Sequence, residues 1–140
     1  MDKFTKTFSV VQKFDDDQQI VFGIANTAVD KSGNQVVDSQ DDMIDPEDLE
    51  LGAYAFNLQF RKMGVNHQGE SKGELVESFV ITKEKMQAVA KALGIEMPEI
   101  KAVAWWVGFF VEDEAVWKSI KAGELLEFSI QGFAERVEAK

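Results

Sequence analysis

The chain contains no cysteine and a single histidine, His67, among its 140 residues. Without cysteine there is no disulfide framework, no thiolate nucleophile and no Cys-based zinc site. That absence suits a reducing compartment. With one imidazole and no thiol, most hydrolytic chemistries are excluded, and no metal or organic cofactor is expected. Positive charge is also short: 15 Lys and Arg face 25 Asp and Glu, for a net charge of -10. Phosphate backbones are bound by clustered Lys and Arg, so nucleic acid is not an expected partner. Long apolar runs are missing too. The longest, residues 102–111, is far short of a membrane span, and Met1 to Thr5 lacks the apolar core of a signal peptide. The expectation is a soluble, intracellular protein with no membrane partner.

What is present is enough for one domain over residues 1–140. An apolar fraction of 45% can supply a core, and 29% charged residues mixed with apolar runs argue against disorder. Phe4 to Phe14 and Gln19 to Val29 read as strands, with a turn at Asp15 to Asp17. The near-continuous apolar character of the second predicts cover on both faces. Asp30-Lys31-Ser32-Gly33-Asn34 is turn chemistry. Its faint likeness to a calcium loop fails, because the glycine is misplaced and no glutamate stands at the twelfth position. The acidic clusters Asp15 to Asp17 and Asp38 to Asp42 read as solvated loops.

Asp45 as cap and Pro46 at the first position predict a helix with Leu49, Ala53, Phe56, Phe60 and Met63 on one face, ended by Gly64. Residues 72–81 alternate as a strand, Leu75, Glu77, Phe79 and Ile81 on one side. Thr82 predicts the cap of a second helix packing Met86, Val89, Ala90 and Leu93 and closed by Gly94. Residues 102–111, with Trp105 and Trp106, read as a core strand rather than a base-stacking platform, since no basic residues interleave. Asp113 caps a third helix burying Val116, Trp117 and Ile120, and residues 125–137 form the last strand. The expected fold class is α+β, mainly β: a mostly antiparallel barrel surrounded by about three helices.

His67 follows Met63-Gly64-Val65-Asn66, and Ser129 lies in Glu127-Phe128-Ser129-Ile130-Gln131-Gly132. Brought together by the fold, one hydroxyl and one imidazole suffice for a nucleophile and its base. No G-x-S-x-G elbow surrounds Ser129, which argues against an α/β-hydrolase. Glu77 shares its predicted strand face with Leu75, Phe79 and Ile81, so its carboxylate would seek a partner, and orienting the imidazole is one answer. Glu70, Glu127 and Glu135 are rivals for that role.

Three stretches together resemble the prohead maturation proteases of tailed phages, in the XkdF-like branch of phage serine proteases. They are Val21-Phe22-Gly23-Ile24-Ala25 with Asp30 and Asp38, Val65-Asn66-His67 with residues 73–78, and Trp106-Val107-Gly108-Phe109 followed by residues 116–133. The resemblance implies a fold similar to herpesvirus assemblin and a Ser129–His67 nucleophilic pair. It implies cleavage of phage scaffold and capsid protein segments, in the host cytoplasm or the prohead interior, and a tendency to form homodimers. The alternative is a non-catalytic protease-like module that binds scaffold or capsid protein. Assemblin-like enzymes can use a second histidine as third member. None exists here, so an acid such as Glu77, or nothing, fills that role. Gly132 and Arg136 are oxyanion candidates. Related enzymes often continue further past the serine, which points to an isolated protease domain of a longer chain.

Overall fold

A computed structural model of the chain describes residues 2–9, 18–37, 42–65, 73–123 and 127–134. Its elements are β1 (Asp2–Ser9), β2 (Ile20–Val29), α1 (Pro46–Gln59), β3 (Lys62–Val65), β4 (Gly73–Ile81), α2 (Lys83–Leu93), β5 (Val103–Val111), α3 (Glu114–Lys121) and β6 (Glu127–Ala134). The strands form one sheet in the order β1-β6-β3-β4-β5-β2, and each pairing is antiparallel.

The protein is α+β with an antiparallel sheet, as expected, but the sheet is not a closed barrel. The two opening strands do not pair with each other. β1 pairs with β6 and β2 with β5, so they stand at opposite ends of the strand order, and no ladder joins them although they approach each other. The expected turn at Asp15 to Asp17 lies outside the described residues.

Helix starts follow local chemistry. Thr82 Oγ1 accepts from the Lys85 N–H at 3.2 Å, and Asp113 Oδ1 from the Val116 N–H at 3.0 Å. Each satisfies a donor that the first helical turn leaves free. Asp45 occupies the cap position of α1, followed by Pro46, yet its side chain makes no capping bond. Gly94 closes α2 in the left-handed conformation, φ 69°, as its position predicts.

The core lies between α1 and one face of β2, β4 and β5. Leu49, Ala53 and Phe56 on α1 are buried against Val21, Ala25, Leu75, Val80, Trp105, Val107, Phe109 and Val111, and α3 adds Trp117 and Ile120. The Phe56 ring meets Trp105 edge-on at 5.3 Å and Phe109 at 6.1 Å. Such edge-to-face pairs contribute about 0.5–1.5 kcal/mol beyond their burial. The expected double cover of β2 is not found. Val21, Gly23, Ala25 and Ala28 are buried, while Ile20, Phe22 and Ile24 between them are only half-buried.

Three further expectations fail locally. Met63 and Gly64 belong to β3, not to α1. The helix stops at Gln59, the Phe60 and Arg61 N–H groups both reach back to the Phe56 carbonyl, and Arg61 turns the chain at φ 59°. Its carbonyl then accepts from Leu75 N at 2.8 Å, committing the next residues to the sheet. On α2, Met86 is half-buried and Ala90 buried, but Val89 and Leu93 are exposed, 66% for Leu93, because that helix lies at the periphery. On β4 the strict alternation breaks. Leu75 pairs with Phe109 and Glu77 with Gly108, so Val76 is an extra residue, and beyond it the faces exchange.

Candidate active site

β3 is only four residues long, and each half of it is tied to a different neighbour. Lys62 and Met63 pair with Glu74 and Gly73 of β4, whereas Gly64 and Val65 pair with Ser129 and Phe128 of β6. On its other side β6 pairs with β1, where Thr7 stands opposite Ser129. Ser129 is therefore an interior-strand position with Gly64 directly across. Paired antiparallel residues have Cα atoms about 4.5–5.5 Å apart. His67 falls outside the described residues, as do Glu70, Glu135 and Arg136. In the chain His67 comes two residues after Val65, the last residue of β3. Glu127 is two residues before Ser129 in β6, opposite Ser9.

Glu77 is not brought to Ser129. The Val76 bulge turns it to the solvent side of β4, where it is exposed and pairs with Gly108. The apolar environment expected for its carboxylate is therefore absent. In register, it lies two strands across from β6 and about four residues further along, on the order of 15 Å from Ser129.

Two other polar groupings have defined geometry, and neither is a nucleophile with its base. Ser78 Oγ accepts from Trp105 Nε1 at 2.8 Å, which ties that hydroxyl to the core. Lys85 Nζ lies 2.7 Å from Glu50 Oε2 and donates to the Tyr54 hydroxyl at 2.9 Å, while Tyr54 donates to Glu50 at 3.0 Å. Partial burial works against the charge on Lys85, but the hydrogen bonds to Glu50 and Tyr54 outweigh it and hold the ammonium above the usual lysine range. The hydrogen bond from Lys85 in turn holds the Glu50 carboxyl below its ordinary value. A lysine held protonated cannot serve as a general base. This cluster joins α1 to α2, and only its Glu50–Tyr54 spacing of four residues was visible in sequence.

A cleft of about 450 Å³ opens between α2 and residues 95–100, lined by Met86, Ala90, Ile95, Met97 and Ile100 among others. Lys83 and Glu99, both on its wall, pair at 3.2 Å. None of its lining residues belongs to β3 or β6, so it is separate from the Ser129 register. Among the described residues no group of three or more His, Asp or Glu could hold a metal ion, and no helix is long and apolar enough to cross a membrane.

Residues 7–138 match the family described as "Putative phage serine protease XkdF". The chain belongs to that family. It is 30% identical over 121 residues to the phage-like element PBSX protein XkdF of Bacillus subtilis strain 168, covering 86% of this chain and 38% of that protein. It is 28% identical over 137 residues to the protein YqbD of the same organism, covering 96% of this chain and again 38% of the relative. The chain thus spans well under half the length of these curated relatives. No solved structure matches it.

Proposed function

We propose that this chain is a serine endopeptidase domain of phage capsid maturation, cleaving scaffold and capsid protein segments through Ser129 and His67. The observation that carries the reading is the register of Gly64 with Ser129. It sets the strand that leads to the only histidine beside the strand that holds the serine. Two peptide units separate Val65 from His67 in the chain, at most about 7.6 Å between Cα atoms, and this short spacing supports the reading. Membership of a phage serine protease family supports the same assignment.

In this mechanism His67 accepts the Ser129 proton as the serine oxygen attacks the scissile carbonyl. The imidazolium then protonates the leaving amine, and the acyl-enzyme is released by water with His67 again as base. Backbone N–H groups near Gly132 supply the oxyanion donors, a role worth about 2.7–4 kcal/mol per donor where it has been measured. The third member is left unassigned in this mechanism, Glu77 being exposed on β4. The substrate class belongs to this reading, as does the setting inside an assembling phage head.

The test is covalent labelling of the chain by a fluorophosphonate probe, with Ser129→Ala and His67→Ala as controls. Labelling that depends on both residues is the expected result. Labelling that survives Ser129→Ala overturns the nucleophile. No labelling, together with retained binding of scaffold protein, replaces the enzyme with a non-catalytic assembly module.

A further inference from the structure

The helix α1 is apolar on two opposite sides. Its inner side carries Leu49, Ala53 and Phe56, each no more than 2% exposed. Its outer side carries Leu51, Tyr54 and Leu58, at 65%, 45% and 82% exposed. At 100° per residue, these three fall within an arc of about 60° that faces directly away from the core. Single exposed leucines need no explanation, but a stripe over two successive turns does. At its edge Lys85 Nζ lies over both the Tyr54 ring, at 5.2 Å, and the 38%-exposed Phe79 ring, at 5.4 Å.

We propose that Leu51, Tyr54 and Leu58 form a docking surface for a basic amphipathic helix of a partner protein. Charge selects that occupant. Glu47 and Asp48 flank the start of the stripe, and no Lys or Arg occurs between Pro46 and Gln59. Lys85, the cation that touches the stripe, is engaged by Glu50 and Tyr54. Arg61 and Lys62 lie beyond the helix end, with Lys62 paired to Glu74, so the acids stand at one end of the stripe and these cations at the other. A second copy carries the same net charge of -10, so a basic partner is the better electrostatic match. A lipid surface with anionic headgroups would be repelled in the same way. The spacing i, i+3, i+7 on one helix is matched by the apolar ridge of another, and Lys or Arg beside that ridge would meet Glu47 and Asp48. Apolar contact supplies affinity, and the charges set orientation and association rate. This inference is independent of the hydrolytic reading.

The experiment is an anisotropy titration of this chain against a fluorescein-labelled, helix-forming 18-residue peptide with a leucine ridge flanked by lysines. A twin peptide carries glutamate in place of every lysine. The lysine peptide is expected to bind saturably and at least about tenfold more tightly than its twin, and to weaken as salt rises. Leu51→Ser and Leu58→Ser are each expected to weaken it about tenfold or more, with unchanged circular dichroism because both positions are exposed. Glu47→Lys combined with Asp48→Lys should weaken the lysine peptide severalfold and strengthen the twin. Equal binding of the two peptides, no saturable binding, or indifference to Leu58→Ser overturns the proposal. So does sedimentation showing a dimer that Leu58→Glu dissociates, or loss of peptide binding when the chain is extended to the length of its relatives, since another segment then covers the stripe.

Discussion

β2, β5 and β4 run beside one another through long ladders and share one packed face, whereas β3 holds β4 and β6 together with two residue pairs on each side. In the first region Val21, Val80, Val107, Phe109 and Val111 are fully buried. Ser129 and the strand leading to His67 belong to the second. In the first region the observation is burial, and in the second it is the register that sets Gly64 opposite Ser129. Substitutions in the β2–β5–β4 region should change stability first, and substitutions at the β3–β6 seam should change chemistry first.

The sharpest way to break that comparison is to exchange the effects. Ser129→Ala should lower peptide hydrolysis about a thousandfold or more while leaving the melting temperature unchanged. Phe109→Ala should destabilise by about 3–5 kcal/mol in urea unfolding, because a buried ring leaves a cavity between Phe56 and the sheet. A Ser129→Ala protein that unfolds early, or a Phe109→Ala protein of native stability, would erase the distinction.

Gly108→Ala tests how closely the outer face of the first region is packed. An added Cβ there meets two Phe22 ring carbons at 3.0 Å and the Glu77 Cβ at 3.3 Å. The Phe22 ring is itself stacked on Trp106 at 5.7 Å, so it has little room to yield. The expected cost is about 1–3 kcal/mol, read from the unfolding midpoint. Glu77→Gln sharpens the boundary between the regions. It should alter kcat/KM by less than about threefold, and a loss of a hundredfold or more would return Glu77 to the site as an orienting acid.

The smallest effect concerns the Lys85–Glu50 pair at the edge between helices. The Glu50 carboxyl is held below its ordinary value of 4.5, so its contribution is present above that value and fades as pH falls through the lower, folded one. Lys85 is held above its ordinary value of 10.5, so its contribution is present below that value and fades as pH rises through the raised one. Partly exposed pairs of this kind contribute about 0.2–1 kcal/mol. Thermal melts of Lys85→Met between pH 3 and 7 should show a flatter acid limb than the parent chain, and an unchanged limb would assign the dependence elsewhere.

Much of this was legible in the residues because it depends only on near neighbours in the chain. Thr82 and Asp113 announce helix starts, Gly94 a helix end, and the run from Val103 to Val111 a buried strand. Each rests on a hydrogen bond, a backbone angle or a periodicity set within a few positions. The errors arose where a distant segment overrode the local signal. Met63 continues the helical spacing of α1, but the Arg61 carbonyl is taken by Leu75 and the chain enters the sheet. Glu77 follows the alternation of Leu75 until the ladder with β5 admits Val76 as an extra residue.

The residues alone therefore determined the three helices and the strands other than β3, the lack of thiol chemistry, and the pairing of one imidazole with one serine as the chemistry to look for. Tertiary structure alone decided that β1 and β2 end up at opposite edges, that Gly64 stands opposite Ser129, and that Glu77 does not. The physical reason is that strand order and register depend on hydrogen bonds between residues far apart in sequence. A one-residue bulge in such a ladder exchanges the faces of everything beyond it.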